Sequence, residues 1–161
     1  MKIDNVDDLL VDILSVPDHA VHDAKGWLEI TEMFEKAIAA ADDLLIIDTE
    51  TDHYEDCQPY LQICFEDDGA MTIEAVSNQF LKPGLSPDAQ NSMAELGWQL
   101  SDERSPNYFQ FLLKDDAHPK VIARLFAQTL RIVYGITPAD TIEVSRGKGL
   151  WPSESEDSKH E

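Results

Sequence analysis

The sequence predicts an α+β domain: an antiparallel sheet of element order β-β-β-α-β-β, flanked by N- and C-terminal helices. Three observations lead there. The apolar period changes from helical to alternating at Leu44. Three strand-like runs then follow one another through loops too short for a crossover helix, which requires antiparallel pairing. Helical patterns stand before, within and after the strand runs, segregated rather than strictly alternating with them.

Taken in order, Ile3, Val6, Leu9, Leu10, Ile13 and Leu14 fall at helical spacing in IDNVDDLLVDIL, a short amphipathic helix that Pro17 stops. VPDHAVHDAKG reads as a linker. From Trp27 to Ala41 a second helix places Trp27, Ile30, Phe34, Ala37, Ile38 and Ala41 on one face. LLIIDTE is the first strand and YLQICF the second, separated by the acidic loop TDHYEDCQP. Asp68-Gly69 is a hairpin signal leading into MTIEAV, which completes a three-stranded meander. In SPDAQNSMAELG, Ser86 caps, Pro87 fills the first turn, Asp88 favours the positive end of the dipole and Gly97 supplies the stop. WQLS and NYFQFLL read as two further strands around DERSP. The last long helix runs from about Asp116 to Tyr134 with Val121, Ile122, Leu125, Phe126, Thr129, Leu130, Val133 and Tyr134 inward. Thr137-Pro-Ala-Asp suggests one more turn or short helix. The expected organisation is therefore residues 1–25 as helix and linker, 26–145 as one α+β domain, and 146–161 as a polar, disordered tail.

Charge narrows the function classes. With 32 acidic against 12 basic residues the chain carries −20, a field that repels phosphate backbones, and no basic cluster counters it. Nucleic acid is therefore not expected as a partner. No apolar run reaches the roughly 18 residues that span a bilayer, so no membrane partner is expected. The acidic start MKIDNVDD is unlike a signal peptide, and Cys57 and Cys64 form neither a disulfide framework nor a zinc spacing. A cytoplasmic protein with reduced thiols is the expectation.

LLIIDTETD, Leu44 to Asp52, is the sharpest local motif, because a strand delivering Asp48 and Glu50 resembles the first motif of metal-dependent 3′–5′ exonucleases. Two-metal chemistry needs more carboxylates and a base from later motifs. The late histidine is His118, and Ala123 stands five residues on, where those enzymes place an Asp. The meander order also conflicts with their crossover-connected sheet. A metal-dependent hydrolase using Asp48 and Glu50 is thus kept only as the alternative. Acids crowd residues 48–56, yet an EF-hand begun at Asp48 would have His53 where glycine is required and Pro59 where glutamate is required. A solvated acidic loop is the expectation, with weak cation binding open. Trp27 and Trp98 read as core, and Trp151 as a contact residue. RGKG, with Arg146 and Lys148, lacks the context of a phosphate loop, and Ser77, Ser86 and Ser101 lack that of a nucleophile. No catalytic, cofactor-binding or metal residue is assigned.

The middle of the chain nevertheless carries a family resemblance. Tyr60–Phe65, Ala75-Val76-Ser77-Asn78, Phe80-Leu81, Leu96-Gly97-Trp98, Ser105-Pro106-Asn107 and Val133-Tyr134-Gly135 occur in an order and spacing similar to the YbjN-like proteins. These belong to the type III secretion chaperone-like superfamily, in its TY-Chap branch; the likeness spans about residues 26–145. The resemblance implies an α-β-β-β-α-β-β-α fold and a non-enzymatic protein-binding role toward apolar or extended segments of a client polypeptide, whose identity it does not supply. It also implies a homodimer as one arrangement, and no cofactor. The helix at 3–14 and the loop at 51–58 depart from the family pattern. Either is a candidate cover over a groove that other members leave open, and the helix is alternatively an adaptor that docks a partner.

Overall fold

The computed structural model describes residues 19–21, 26–100 and 106–147, with the backbone alone for 19–21. Strand β1 (His19–Val21) precedes helix α1 (Trp27–Ala40); β2 (Leu44–Glu50), β3 (Tyr60–Phe65) and β4 (Met71–Ala75) follow. Helix α2 (Pro87–Glu95), β5 (Tyr108–Leu112), helix α3 (Pro119–Gln128) with a π-helical extension (Thr129–Val133), and β6 (Thr141–Gly147) come next among the described residues.

The six strands form one sheet in the order β1-β6-β2-β3-β4-β5, antiparallel throughout. The meander β2-β3-β4 is as the loop lengths require. Gly69 turns it at φ +91°, with Asp68 Oδ1 accepting from Ala70 N at 3.0 Å. Ser86 caps α2 by accepting from Ala89 N at 3.1 Å, and Gly97 stops it at φ +99°.

All three helices pack their buried residues into one cluster with one face of the sheet. Paired residues in an antiparallel sheet share a face, so the register fixes its membership. Val144, Ile47, Leu61, Ala75 and Tyr108 form one row across the sheet, and Leu45, Ile63 and Ile73 the next. Ile30, Phe34, Ala37 and Ile38 of α1 and Ile122, Phe126 and Leu130 of the last helix meet these rows. Each large apolar side chain so buried contributes about 1.5–3 kcal/mol. Two polar contacts lie inside this layer. Trp98 stacks on Phe126 and donates Nε1–H to Thr129 Oγ1 at 3.0 Å, while Tyr134 donates its hydroxyl to Val76 O at 2.6 Å.

The fold class is the expected α+β arrangement, with differences in its parts. Of WQLS, Gln99 alone pairs among the described residues, as a bridge to Phe109. The last helix becomes π-helical at Thr129, Tyr134 N reaching back to Thr129 O at 3.3 Å. The wider turn keeps Thr129, Leu130, Val133 and Tyr134 all inward. Val121, expected on the buried stripe, is 58% exposed. Thr137–Asp140 is a turn, closed by Asp140 Oδ2 on Thr137 N at 2.8 Å. It feeds β6, where Ile142 and Val144 are buried between more exposed neighbours, though the sequence reading placed no strand there. β1 likewise occupies part of the segment read as linker. The predicted helix at 3–14 and residues 148–161 lie outside the described residues.

Candidate client-binding surface

Among the described residues most of the sheet's second face takes no part in the core cluster, Tyr60 excepted. Its residues alternate with the buried ones, and register sorts them into rows. Phe111, Thr72, Cys64 and Leu44 form the first; Phe109, Glu74, Gln62, Ile46 and Ser145 the second; Tyr60, Asp48 and Glu143 the third. Ile46, Cys64, Phe109 and Phe111 take no part in the core cluster, and Phe111 is 54% exposed. Polarity thus runs along the strands, from an apolar row through a mixed one to an acidic one.

Among the described residues this face ends at an edge that Gln99 bridges at Phe109. β5 is the last strand of the sheet, and Phe109 turns its N–H and C=O outward to Gln99, at 3.2 and 2.9 Å. Two residues on, Phe111 points its backbone groups the same way, with no strand alongside it among the described residues. Leu100 and Leu113, 66% and 60% exposed, flank the same edge. Asn107 fixes the start of β5. Its Oδ1 accepts from Ser77 N at 3.3 Å, and its Nδ2 donates to the Tyr60 hydroxyl at 3.0 Å and Glu74 Oε1 at 3.2 Å. A buried amide so engaged holds β3, β4 and β5 in one register. The sequence reading named NYFQFLL a strand without assigning its faces. Within β5 (Tyr108–Leu112) both faces are apolar apart from Gln110, and this absence of a polar face was the available signal for an exposed aromatic pair.

Asp48 and Glu50 stand on the open face, near its acidic end. With Gln58, Thr141 and Glu143 they line a shallow depression of about 290 Å³. Burial, and then the nearby Glu143 charge, push the Asp48 carboxyl above its usual range. Among the described residues no set of three or more His, Cys, Asp or Glu side chains is placed to hold a metal ion. His118 is exposed at the start of α3, and Ala123 is buried within it. The neighbouring loop is a built turn rather than an open chain. Gln58 accepts from Thr51 N at 2.9 Å and donates to Tyr54 O at 3.0 Å, while Tyr54 donates its hydroxyl to Tyr134 O at 2.9 Å.

The remaining candidates fall into structural places. Trp98 is core, whereas Trp27 is only half-buried, lining a groove between α1 and the last helix. Arg146 donates to Ala40 O at 2.9 Å, supplying the positive partner that the last turn of α1 lacks in its own sequence. Ser77 is buried and Ser86 is a cap; Ser101, Lys148 and Trp151 lie outside the described residues. Cys57 and Cys64 are free thiols whose pKa values burial raises; for Cys64, Glu74, Glu66 and Asp43 add to it. Raised values leave both thiols protonated and weakly nucleophilic. No helix of the described residues is long and apolar enough to cross a membrane.

No curated protein and no solved structure matches the chain. One family does, over residues 18–146: the T3SS (YopN, CesT) and YbjN peptide-binding chaperone 3 family, TY-Chap3. Nothing in these comparisons supports the hydrolase alternative. The match takes in every described strand and helix but the last residue of β6, and the chain belongs to this family of peptide-binding chaperones.

Proposed function

We propose that this protein is a non-enzymatic, cytoplasmic chaperone-like binder that holds an extended apolar segment of a client polypeptide along the outer edge of β5. The observation that carries the reading is the coincidence of Phe109 and Phe111 on one face with an edge where, next to the Gln99 bridge at Phe109, the backbone groups of Phe111 point outward. An extended segment there adds a strand by main-chain hydrogen bonds, and alternate side chains settle on the two phenylalanines. The net charge of −20 keeps a protein with such a patch soluble. A second copy of the chain would compete for the same edge, and a homodimer joined there would open when client binds.

The test is binding of a fluorescent, permanently unfolded reporter polypeptide, read by anisotropy, together with suppression of its aggregation. Phe111→Asp weakens binding at least about tenfold. Val121→Asp, which alters an equally exposed apolar side chain on α3, leaves it unchanged. Equal binding by both variants would sink the reading. Sedimentation with and without the reporter separates client capture from dimerisation.

A further inference from the structure

The groove between α1 and the last helix differs in chemistry from the rest of the surface. It holds about 340 Å³, and Trp27, Leu28 and Ala127 give it an apolar lining. The exposed side chains of Arg124, Gln128 and Arg131 supply its polar part. None of the lining residues is acidic, although the chain has 32 acidic residues against 12 basic. Among the described residues neither guanidinium has a hydrogen-bond or ion-pair partner. Two cations left unneutralised beside apolar surface, in a chain where carboxylates abound, suit an anion with an apolar body.

Three limits define that anion. Gln128 lies between the arginines on one helix, so a group seated over it is about 5 Å along the axis from each. Both guanidinium forks can then close on a single carboxylate, and such charge-assisted pairs are the strong ones. The second limit is the field of the whole chain. A partner with many carboxylates is repelled by a net charge of −20, whereas one carrying a single carboxylate is repelled least. The third is the groove's openness. Leu28 is 60% exposed, so a small apolar acid would keep much of its own surface in water, short of the burial of about 70–90% that small-molecule pockets provide. A polypeptide end loses less, because the residues before its carboxylate extend the contact over Leu28. An internal apolar segment, by contrast, brings the arginines nothing. We propose that this groove captures the free C-terminal carboxylate of an apolar polypeptide end. The carboxylate sits on Arg124 and Arg131, and the last side chain lies against Trp27 and Ala127. The site is separate from the β5 edge and independent of what that edge binds.

The test is an NMR titration of the full, isotopically labelled chain with a short peptide ending Ala-Leu-Phe, free at its C-terminus, and with the same peptide amidated. The free acid shifts the Trp27 indole and Gln128 side-chain amide resonances and binds at least about tenfold more tightly than the amide. Arg124→Gln and Arg131→Gln, at exposed positions, each remove most of that difference and leave amide binding unchanged. Phe111→Asp alters neither, which separates this groove from the β5 edge. Equal binding of acid and amide overturns the proposal, as does binding of neither. Arginine substitutions that weaken both peptides alike make those residues structural and overturn it too. Decanoate competing as tightly as the free peptide assigns the groove to small apolar acids, and an amidated peptide with internal glutamates doing so assigns it to acidic segments. Either result overturns the proposal.

Discussion

The two faces of the central sheet are built from the same strands, and neighbouring residues meet opposite fates. Leu45, Ile47, Leu61, Ile63, Ile73 and Ala75 have no exposed surface, whereas Ile46, Gln62, Cys64, Thr72 and Glu74 between them are half-buried and bear no helix contact in the core cluster. Because the side-chain period of a strand is two, a one-residue slip would exchange these sets. Stability is therefore concentrated on one face and left out of the other. A surface that contributes little to folding is free to carry apolar residues, as this one carries Phe109 and Phe111, and in the proposed reading these serve a partner.

Ile46 and Ile47 break or sharpen this contrast most directly, being adjacent residues of one type. Ile47→Ala removes a side chain with no exposed surface and destabilises by about 2–5 kcal/mol. Ile46→Ala, on the open face, costs under about 1 kcal/mol. Urea unfolding of the two variants measures the difference; comparable losses would mean that the open face is covered. A smaller effect tests the polar contact within the covered layer. Thr129→Val keeps the volume near Trp98 but orphans its buried indole N–H, at a cost of about 1–3 kcal/mol in the same assay. A neutral result would place the indole's partner elsewhere.

Legibility in the sequence followed the same division. The buried stripe of α1 was readable because Ile30, Phe34, Ala37 and Ile38 keep one period with polar residues opposite. The meander was readable because its loops permit nothing else. β6 was not, since TIEVSRG reads as the approach to a polar tail until β2 supplies its partner. β1 has three residues, too few to show a period. Nor was the proposed binding edge legible in full. Alternation tells that Phe109 and Phe111 share a face, but only the fold shows that the helices pack on the other face and that β5 lies at the sheet's edge. The role of Arg146 depends on a contact with Ala40, 106 residues away, which no local pattern encodes.

The smallest expected effect concerns the acidic end of the open face. Asp48 sits directly across the β2–β6 pair from Glu143. Like charges so placed destabilise a sheet, and burial together with Glu143 raises the Asp48 pKa above its ordinary value of 3.8. The sign of the linkage follows. A carboxyl with a raised folded-state pKa holds its proton more tightly when folded, so its contribution to stability is greatest below 3.8 and is lost as pH rises through the shifted value. At neutral pH the ionised pair is a residual cost, kept small by solvent at this exposed position. Asp48→Asn should therefore stabilise the protein at pH 7 by about 0.5 kcal/mol. The gain should shrink as pH falls through the shifted pKa and disappear below the ordinary one. Unfolding curves of the variant and the unmodified protein across that range provide the check. Loss of stability in Asp48→Asn at pH 7 would mean that the carboxylate makes an attractive contact, and that the acidic row is held by more than its solvation.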